Sequence, residues 1–386
     1  MEAQSVYIHI PFCQQICYYC DFNKAFYKEK QATDYIEALA QEMNTQVPGL
    51  NNPVKTIYIG GGTPTALTIY QMRSLLQVIS SKFDVSSCSE FTIEGNPGDF
   101  NSDMIELLKS YGVSRISLGV QVFDDAFLKE IGRLHTVSDV YRTLDSLQQH
   151  HFNNISLDLI YALPNQTVEH FRQTLDEAVA FDLPHYSAYA LQIEPKTAFY
   201  RRYKKGKLHR PPQEEEVEMY HILKKTMRHL GTRQYEISNF AKPGFESQHN
   251  LVYWDNEYYY GFGAGAHGYL PGKRVSNIGP LPDYVQKAME DGKPVVHTEE
   301  IGLKEMIEEE MFLGLRKTEG VNADRFMSRY GFSLETLFND ALAFLSKKGW
   351  LQQNGNNLQL TDKGMLFGDD VFEQFLLDEQ ELEHVR

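Results

Sequence analysis

Six short runs of apolar and β-branched residues alternate along the first half of this chain with longer stretches of helical periodicity. The runs are VYIHI (6–10), TIYIG (56–60), EFTIE (90–94), RISLGVQ (115–121), ISLDLIY (155–161) and YSAYALQ (186–192). Between them DYIEALAQEMNTQ, IYQMRSLLQVISSKF, SDMIELLKSYG, VSDVYRTLDSLQQH and TVEHFRQTLDEAVAF space their apolar residues for a helix face. Start signals include Ser102 with Asp103, and Thr167 two residues before Glu169. Alternation of this kind commits a chain to βαβ units and a parallel sheet. Six units suit an open doubly wound sheet or an incomplete barrel, and position decides between them. The cysteines follow the first strand, GGGTP (60–64) ends the second, Glu94 the third and Gln121 the fourth, Asp158 lies within the fifth, and Gln192 ends the sixth. Barrel proteins build sites on the face where strands end, so the reading is an α/β fold, a partial (β/α)6 barrel.

The pattern changes after about residue 205. QEEEVEMYHILKKTMRHL (213–230) reads as one amphipathic helix, and a Gly- and Tyr-rich irregular stretch follows over 235–272. From about 303 come further helices, then WLQQNGNNLQLTDKG, with strand, turn, strand and a helix starting near Thr361. That order fits a smaller, mainly helical, winged-helix-like domain, and a plain helical cap with one hairpin fits it equally. The expected division is a barrel over 1–205, a connecting helix and irregular segment over 206–300, and a C-terminal domain over 301–386. With 386 residues and 42% hydrophobic composition there is material for one barrel-sized core and a smaller one. A formal charge of −15 disfavours broad electrostatic binding to nucleic acid or anionic lipid, and RRYKKGK (201–207) reads as a solvated helix end. SVYIHI runs directly into Pro11, so it does not read as a signal peptide. No stretch approaches the roughly 18 apolar residues of a membrane span, and a cytoplasmic location is expected.

Three of the four cysteines, Cys13, Cys17 and Cys20, share one loop, while Cys88 stands alone and reads as a packed thiol. This is not the even framework of a disulfide-stapled domain. A structural zinc site wants four ligands and would have to recruit His9 or a distant histidine. A cubane iron-sulfur cluster usually takes one cysteine per iron, so three thiolates leave one iron open to a ligand. Phe12, Tyr18, Tyr19 and Phe22 supply the apolar shell that tunes such a centre. The three glycines of GGGTP let backbone approach a ligand closely, Thr63 adds a hydroxyl, and Pro64 stiffens the exit. Glu94 and Asp158 are carboxylates in apolar strands and need partners such as ribose hydroxyls or an amino group.

The Cys-x3-Cys-x2-Cys loop after a first strand, with a Gly-rich turn after the second, resembles the radical S-adenosylmethionine (SAM) superfamily. In that superfamily the open iron of a 4Fe-4S cluster chelates SAM, whose reductive cleavage gives a 5′-deoxyadenosyl radical. YIHIPFC, GGGTPT, IEGNP, LGVQVF, GRLH and LDLIYALPNQT are similar to the family of oxygen-independent coproporphyrinogen III oxidase and its haem-chaperone relatives. The resemblance implies a radical SAM barrel, with SAM-binding positions at Tyr7, Tyr19, Gly61, Gly62, Thr63, Glu94, Gln121, Arg133, Asp158 and Gln192. The oxidase is known for holding two SAM molecules, so some of these positions could serve a second. Two departures point to the haem-chaperone branch: Phe22 stands where the oxidase has a fourth cysteine, and the chain starts six residues before the first motif, without the oxidase's N-terminal extension. QHNLVYWDN resembles the HNxxYW motif of that branch and makes His249, Asn250, Tyr253 and Trp254 candidates for haem, and a polar loop turning into an aromatic packing cluster, with His249 simply hydrogen-bonded, fits the same residues equally. Imidazole is a common axial ligand, and a phenol or indole can lie against a porphyrin. His267 in GFGAGAHG reads as part of a close-packing turn. The implied function is haem binding and delivery to respiratory or other haem proteins. Those acceptors include membrane-bound ones that would bring the chain peripherally to a membrane. An electron donor and a homodimer are also implied. The rivals are the oxidase activity itself, decarboxylating two propionates to vinyl groups, and a zinc-bound structural module.

Overall fold

The computed structural model describes residues 3–378. Its main sheet has twelve strands: β1 (Ser5–Ile10), β2 (Thr56–Gly61), β3 (Glu90–Gly95), β4 (Arg115–Gln121), β5 (Ile155–Tyr161), β6 (His185–Ala190), β7 (Arg233–Gln234), β8 (Asn239–Ala241), β9 (Tyr259–Phe262), β10 (His267–Leu270), β11 (Lys273–Asn277) and β12 (Val295–Glu300). Their order across the sheet is β7-β8-β6-β5-β4-β3-β2-β1-β9-β10-β11-β12. The six strands expected from sequence run side by side in parallel, each a step further from β1. The crossover helices are α1 (Glu29–Gln46), α2 (Ile69–Lys82), α3 (Ser102–Ser110), α4 (Val137–Gln149) and α5 (Val168–Val179). This is the partial barrel, wider than the sequence reading because residues read as irregular add strands at both edges. β9 joins β1 as a seventh parallel strand and β10 to β12 continue antiparallel. Short strands rich in Gly and Tyr carry too little alternation to be seen one at a time. What fixes them is long-range: Glu42 on α1 accepts from the Gly263 amide at 2.9 Å, Asn277 Nδ2 at 2.6 Å and Tyr284 Oη at 2.5 Å.

Each central strand is apolar toward the helices and polar toward the inside. Val6, Ile8, Ile57, Ile59, Phe91, Ile93, Ile116, Leu118, Leu157 and Leu159 are buried in one continuous core. Tyr7, Tyr58, Glu94, Arg115, Ser117 and Asp158 occupy the alternating positions. The helix starts are capped locally, with two differences from expectation. Asn101 rather than Ser102 caps α3, accepting from Met104 N, and the Thr167 box closes with His170 rather than Glu169.

Residues from Ile307 to Leu377 form a second core. The order helix (Leu303–Gly314), strand (Val321–Asn322), helix (Ala323–Tyr330), helix (Leu334–Lys348), then hairpin (Leu351–Asn354 and Asn357–Leu360) is that of a winged helix. The last eight residues of the region read as 301–386 lie outside the described residues. Asp255 joins the two parts by accepting from Lys317 and Arg325, and the Arg316 guanidinium lies 4.6 Å over the Trp254 ring. Among the described residues no helix is long and apolar enough to cross a membrane.

Candidate functional site

The cysteine loop leaves the end of β1 and is pinned from several sides. Ala25 N donates to Pro11 O at 2.7 Å, Tyr27 N to Cys13 O at 2.9 Å, Tyr18 N to Ile131 O at 3.0 Å, and Lys24 Nζ to Cys20 O at 2.6 Å. All three cysteines are free thiols, Cys13 buried and Cys17 and Cys20 half-buried, and all three line one cavity. Thr63 Oγ1 donates to Cys13 Sγ at 3.6 Å and Arg133 Nη1 to Cys17 Sγ at 3.5 Å. Burial raises the Cys13 thiol pKa and pushes that of Cys20 up to about 11, so these groups stay protonated until a cationic centre binds the sulfurs and displaces their protons to solvent. Among the described residues no three His, Cys, Asp or Glu side chains gather closely enough for a single metal ion. A tetrahedral zinc would need sulfurs about 3.8 Å apart. Three thiols on one loop facing one cavity are the donor set that three irons of a cubane would take.

The Gly-rich turn is shaped by contact. Gly61 has φ +117°, and a Cβ there would lie 2.5 Å from the His9 ring. A Cβ on Gly62 would meet Pro11 at 2.7 Å and Cys13 Sγ at 3.0 Å. Glu94 is clamped, with Oε1 accepting from Tyr58 Oη at 2.7 Å and Oε2 from the Gly61 amide at 3.0 Å. Desolvation pushes its pKa up to about 7 against those two bonds, which favour the ionised form. Asp158 accepts from Ser117 at 3.0 Å and Ser156 at 3.2 Å, and its pKa is raised mainly by burial. Gln121 sits at a register shift of β4 with φ +74°, an uncommon backbone state for a residue with a Cβ.

The cavity, about 440 Å³, is lined by Tyr19, Gly61, Gly62, Thr63, Glu94, Gln121, Arg133, Asp158 and Gln192, nine of the ten positions singled out for SAM, beside the three cysteines. Tyr7 is not in the lining: its hydroxyl bonds His9 Nδ1 at 2.9 Å, and His9 Nε2 meets Asn23 O at 2.7 Å. The HNxxYW segment lies on α6 (Gln248–Trp254), and its members part company. Asn250 lines the cavity. His249 is fully buried with both ring nitrogens engaged, Nδ1 with Thr56 Oγ1 at 2.8 Å and Nε2 with Tyr253 Oη at 2.8 Å. Burial, then Arg115, lowers its pKa to about 3, so the imidazole is neutral. Its ring centre is 5.1 Å from that of Tyr58, and Trp254 faces Arg316. The cavity also has Tyr58, Arg115, Ser117, Ser187 and Tyr189 in its wall, which the sequence reading did not single out. Their signal was period 2: in β4 Arg115, Ser117, Gly119 and Gln121 alternate with Ile116, Leu118 and Val120.

Fold and cysteine loop together define the class: the chain matches the Radical SAM superfamily over residues 7–178 and the HemN C-terminal domain over 301–367. A solved structure described as "Coproporphyrinogen III oxidase (HemN) from Escherichia coli is a Radical SAM enzyme" superposes with a TM-score of 0.84 over 97% of this chain and 90% of that one, at 23% identity, a likeness of fold. "Heme chaperone HemW" of Bacillus subtilis is 48% identical over 97% of this chain and 99% of its own length, and that of Lactococcus lactis is 43% identical over 98% of each. The chain belongs to the heme chaperone HemW family.

Proposed function

We propose that this chain is a radical SAM-type haem chaperone: it holds a 4Fe-4S cluster, SAM and haem, and passes haem to respiratory or other haem proteins. One observation carries the reading. Three cysteines and nine of the ten positions that the family resemblance implies for SAM, on strands β2 to β5 and on loops, line one cavity. Cys13, Cys17 and Cys20 would hold the cluster. Tyr19, Gly61, Gly62, Thr63, Glu94, Gln121, Arg133, Asp158 and Gln192 would hold SAM, with Tyr7 acting from behind through His9. A cluster bound there would supply an electron and an open coordination position. The residues do the rest: Glu94 and Asp158 accept hydrogen bonds from ligand hydroxyls or an amino group, Arg133 and Lys24 offset the charge of the thiolates, and Tyr19 offers a ring face. For haem, Asn250 is already in the cavity wall. His249 would become a ligand by exchanging the Tyr253 hydroxyl for iron at Nε2 while Thr56 keeps Nδ1 oriented, the arrangement a ligating imidazole needs. Tyr253 and Trp254 complete that motif.

The working division is a barrel over 1–205, a connecting unit over 206–300 carrying the HNxxYW motif, and a C-terminal domain over 301–386. A cytoplasmic protein that meets membrane-bound haem enzymes only through partners, takes electrons from a separate donor and pairs as a homodimer fits the same reading. The test is anaerobic reconstitution followed by haem titration. A cluster chromophore and a Soret band on titration support it. Decarboxylation of coproporphyrinogen III under reducing conditions would put the oxidase in its place, and a colourless zinc protein would remove both.

A further inference from the structure

The cavity has a second end. Arg115 opens β4, level in the sheet with Tyr58 of β2 and Tyr7 of β1, about 10 Å below the ends of those strands where the cysteine loop lies. Arg115 is 1% exposed, yet it is part of the cavity wall. Its Nη2 meets His185 Nδ1 at 3.3 Å, its Nε has no partner, and among the described residues it forms no ion pair. His185 offers no countercharge. Ser156 Oγ at 2.7 Å and Tyr235 Oη at 2.9 Å engage its two nitrogens, and burial and Arg115 hold its pKa well below the usual value. Four carboxylates line the cavity, Asp21, Glu94, Asp158 and Glu194, and none is hydrogen-bonded to Arg115: Glu94 is engaged with Tyr58 and the Gly61 amide, Asp158 with Ser117 and Ser156. The two other cations in the wall are engaged at the cysteine-loop end, Arg133 with Cys17 and Gly119, and Lys24 with the Cys20 and Phe22 carbonyls. At the start of β2 sits α6, anchored where His249 meets Thr56 and with His249 within electrostatic reach of Arg115, and its Asn250 lines the same cavity as Arg115. Arg115 favours the ionised forms of Glu94 and Asp158 across the cavity, but among the described residues no carboxylate is hydrogen-bonded to its guanidinium, and a planar fork of donors matches one.

We infer that Arg115 and Asn250 form a seat at the floor of this cavity for a carboxylate of a bound ligand, separate from the groups held at the cysteine loop. A porphyrin propionate or the amino-acid carboxylate of a further SAM molecule offers that chemistry. The inference rests on the reading that haem and SAM bind in this cavity. The test uses the full, cluster-reconstituted chain, titrated with haem, with haem dimethyl ester and with SAM, in wild type, Arg115→Gln and Asn250→Asp. The last variant keeps the buried arginine and opposes an anion. If a propionate is seated, the ester binds wild type roughly ten- to hundredfold more weakly than haem, both variants lose a similar factor for haem, and the number of SAM sites stays the same. If an amino-acid carboxylate is seated, haem and ester bind alike and both variants lose a SAM site. Folded variants with unchanged haem affinity and unchanged SAM count overturn the seat. Failure of wild type to bind haem at all overturns the chaperone reading instead.

Discussion

Tyr58→Phe should change the pH dependence of SAM binding without touching a cysteine. Glu94 has its pKa pushed up to about 7 because desolvation outweighs the bonds from Tyr58 and the Gly61 amide. A carboxyl that accepts from ligand hydroxyls or an amino group does so when ionised, so affinity in wild type should rise with pH through about 7 and level off above it. Below that point each unit of pH weakens binding about tenfold. Removing the Tyr58 hydroxyl takes away a hydrogen bond to a charged group, worth about 1.5–3 kcal/mol, which moves the Glu94 pKa up by about 1–2 units. The midpoint should therefore shift to about pH 8–9, with an affinity loss of roughly tenfold near pH 7.5 that disappears at high pH. The ring itself stays, so its packing 5.1 Å from His249 and 6.2 Å from Tyr7 is kept. Calorimetric titration of the reconstituted protein between pH 5.5 and 9.5 measures this, with the cluster spectrum as control. Equal midpoints in the two proteins, or a flat wild-type profile, would refute the assignment of Glu94 to the cofactor.

Three further outcomes follow from the same geometry. Cys17→Ala should abolish the brown chromophore and cut bound iron sharply while the far-ultraviolet circular dichroism stays native, because Cys17 is half-buried and outside the main core; unchanged iron content ends the cluster assignment. Gly62→Ala should impair cluster assembly with all thiols intact, since its methyl would press on Pro11 at 2.7 Å and Cys13 Sγ at 3.0 Å; normal iron loading would show that the turn yields. His249→Ala should keep the cluster, weaken haem binding at least roughly tenfold and lower stability by about 2 kcal/mol, because the hydroxyls of Thr56 and Tyr253 each lose a buried partner. Haem affinity equal to wild type, with the drop in thermal midpoint still present, would leave His249 a purely internal support.

What could be read from the sequence, and what could not, divides along one physical line. The six parallel strands were legible because each has a long apolar face and a helix to cover it, and the cysteine spacing was legible because its chemistry is local. The edge strands were not: those from 259 to 277 depend on Glu42, more than two hundred residues away from Gly263, Asn277 and Tyr284, and those at 233–241 depend on antiparallel pairing with β6. The lower half of the cavity was missed for a different reason. Barrel sites are expected at strand ends, and polar positions that alternate through a strand look in sequence like ordinary β pattern. In a closed, side-chain-filled barrel those positions would be small or apolar. Here the series Arg115, Ser117, Gln121 and the pair Ser156, Asp158 keep polar groups facing inward along most of a strand's length. That is an unfavourable way to fill an interior unless something polar occupies it. His249 is buried against Thr56 and Tyr253 while its neighbour Asn250 reaches the cavity, because adjacent residues of α6 lie about 100° apart around the helix and face different surroundings. The motif therefore joins two roles, bracing Tyr58 from behind and facing the ligand from the floor.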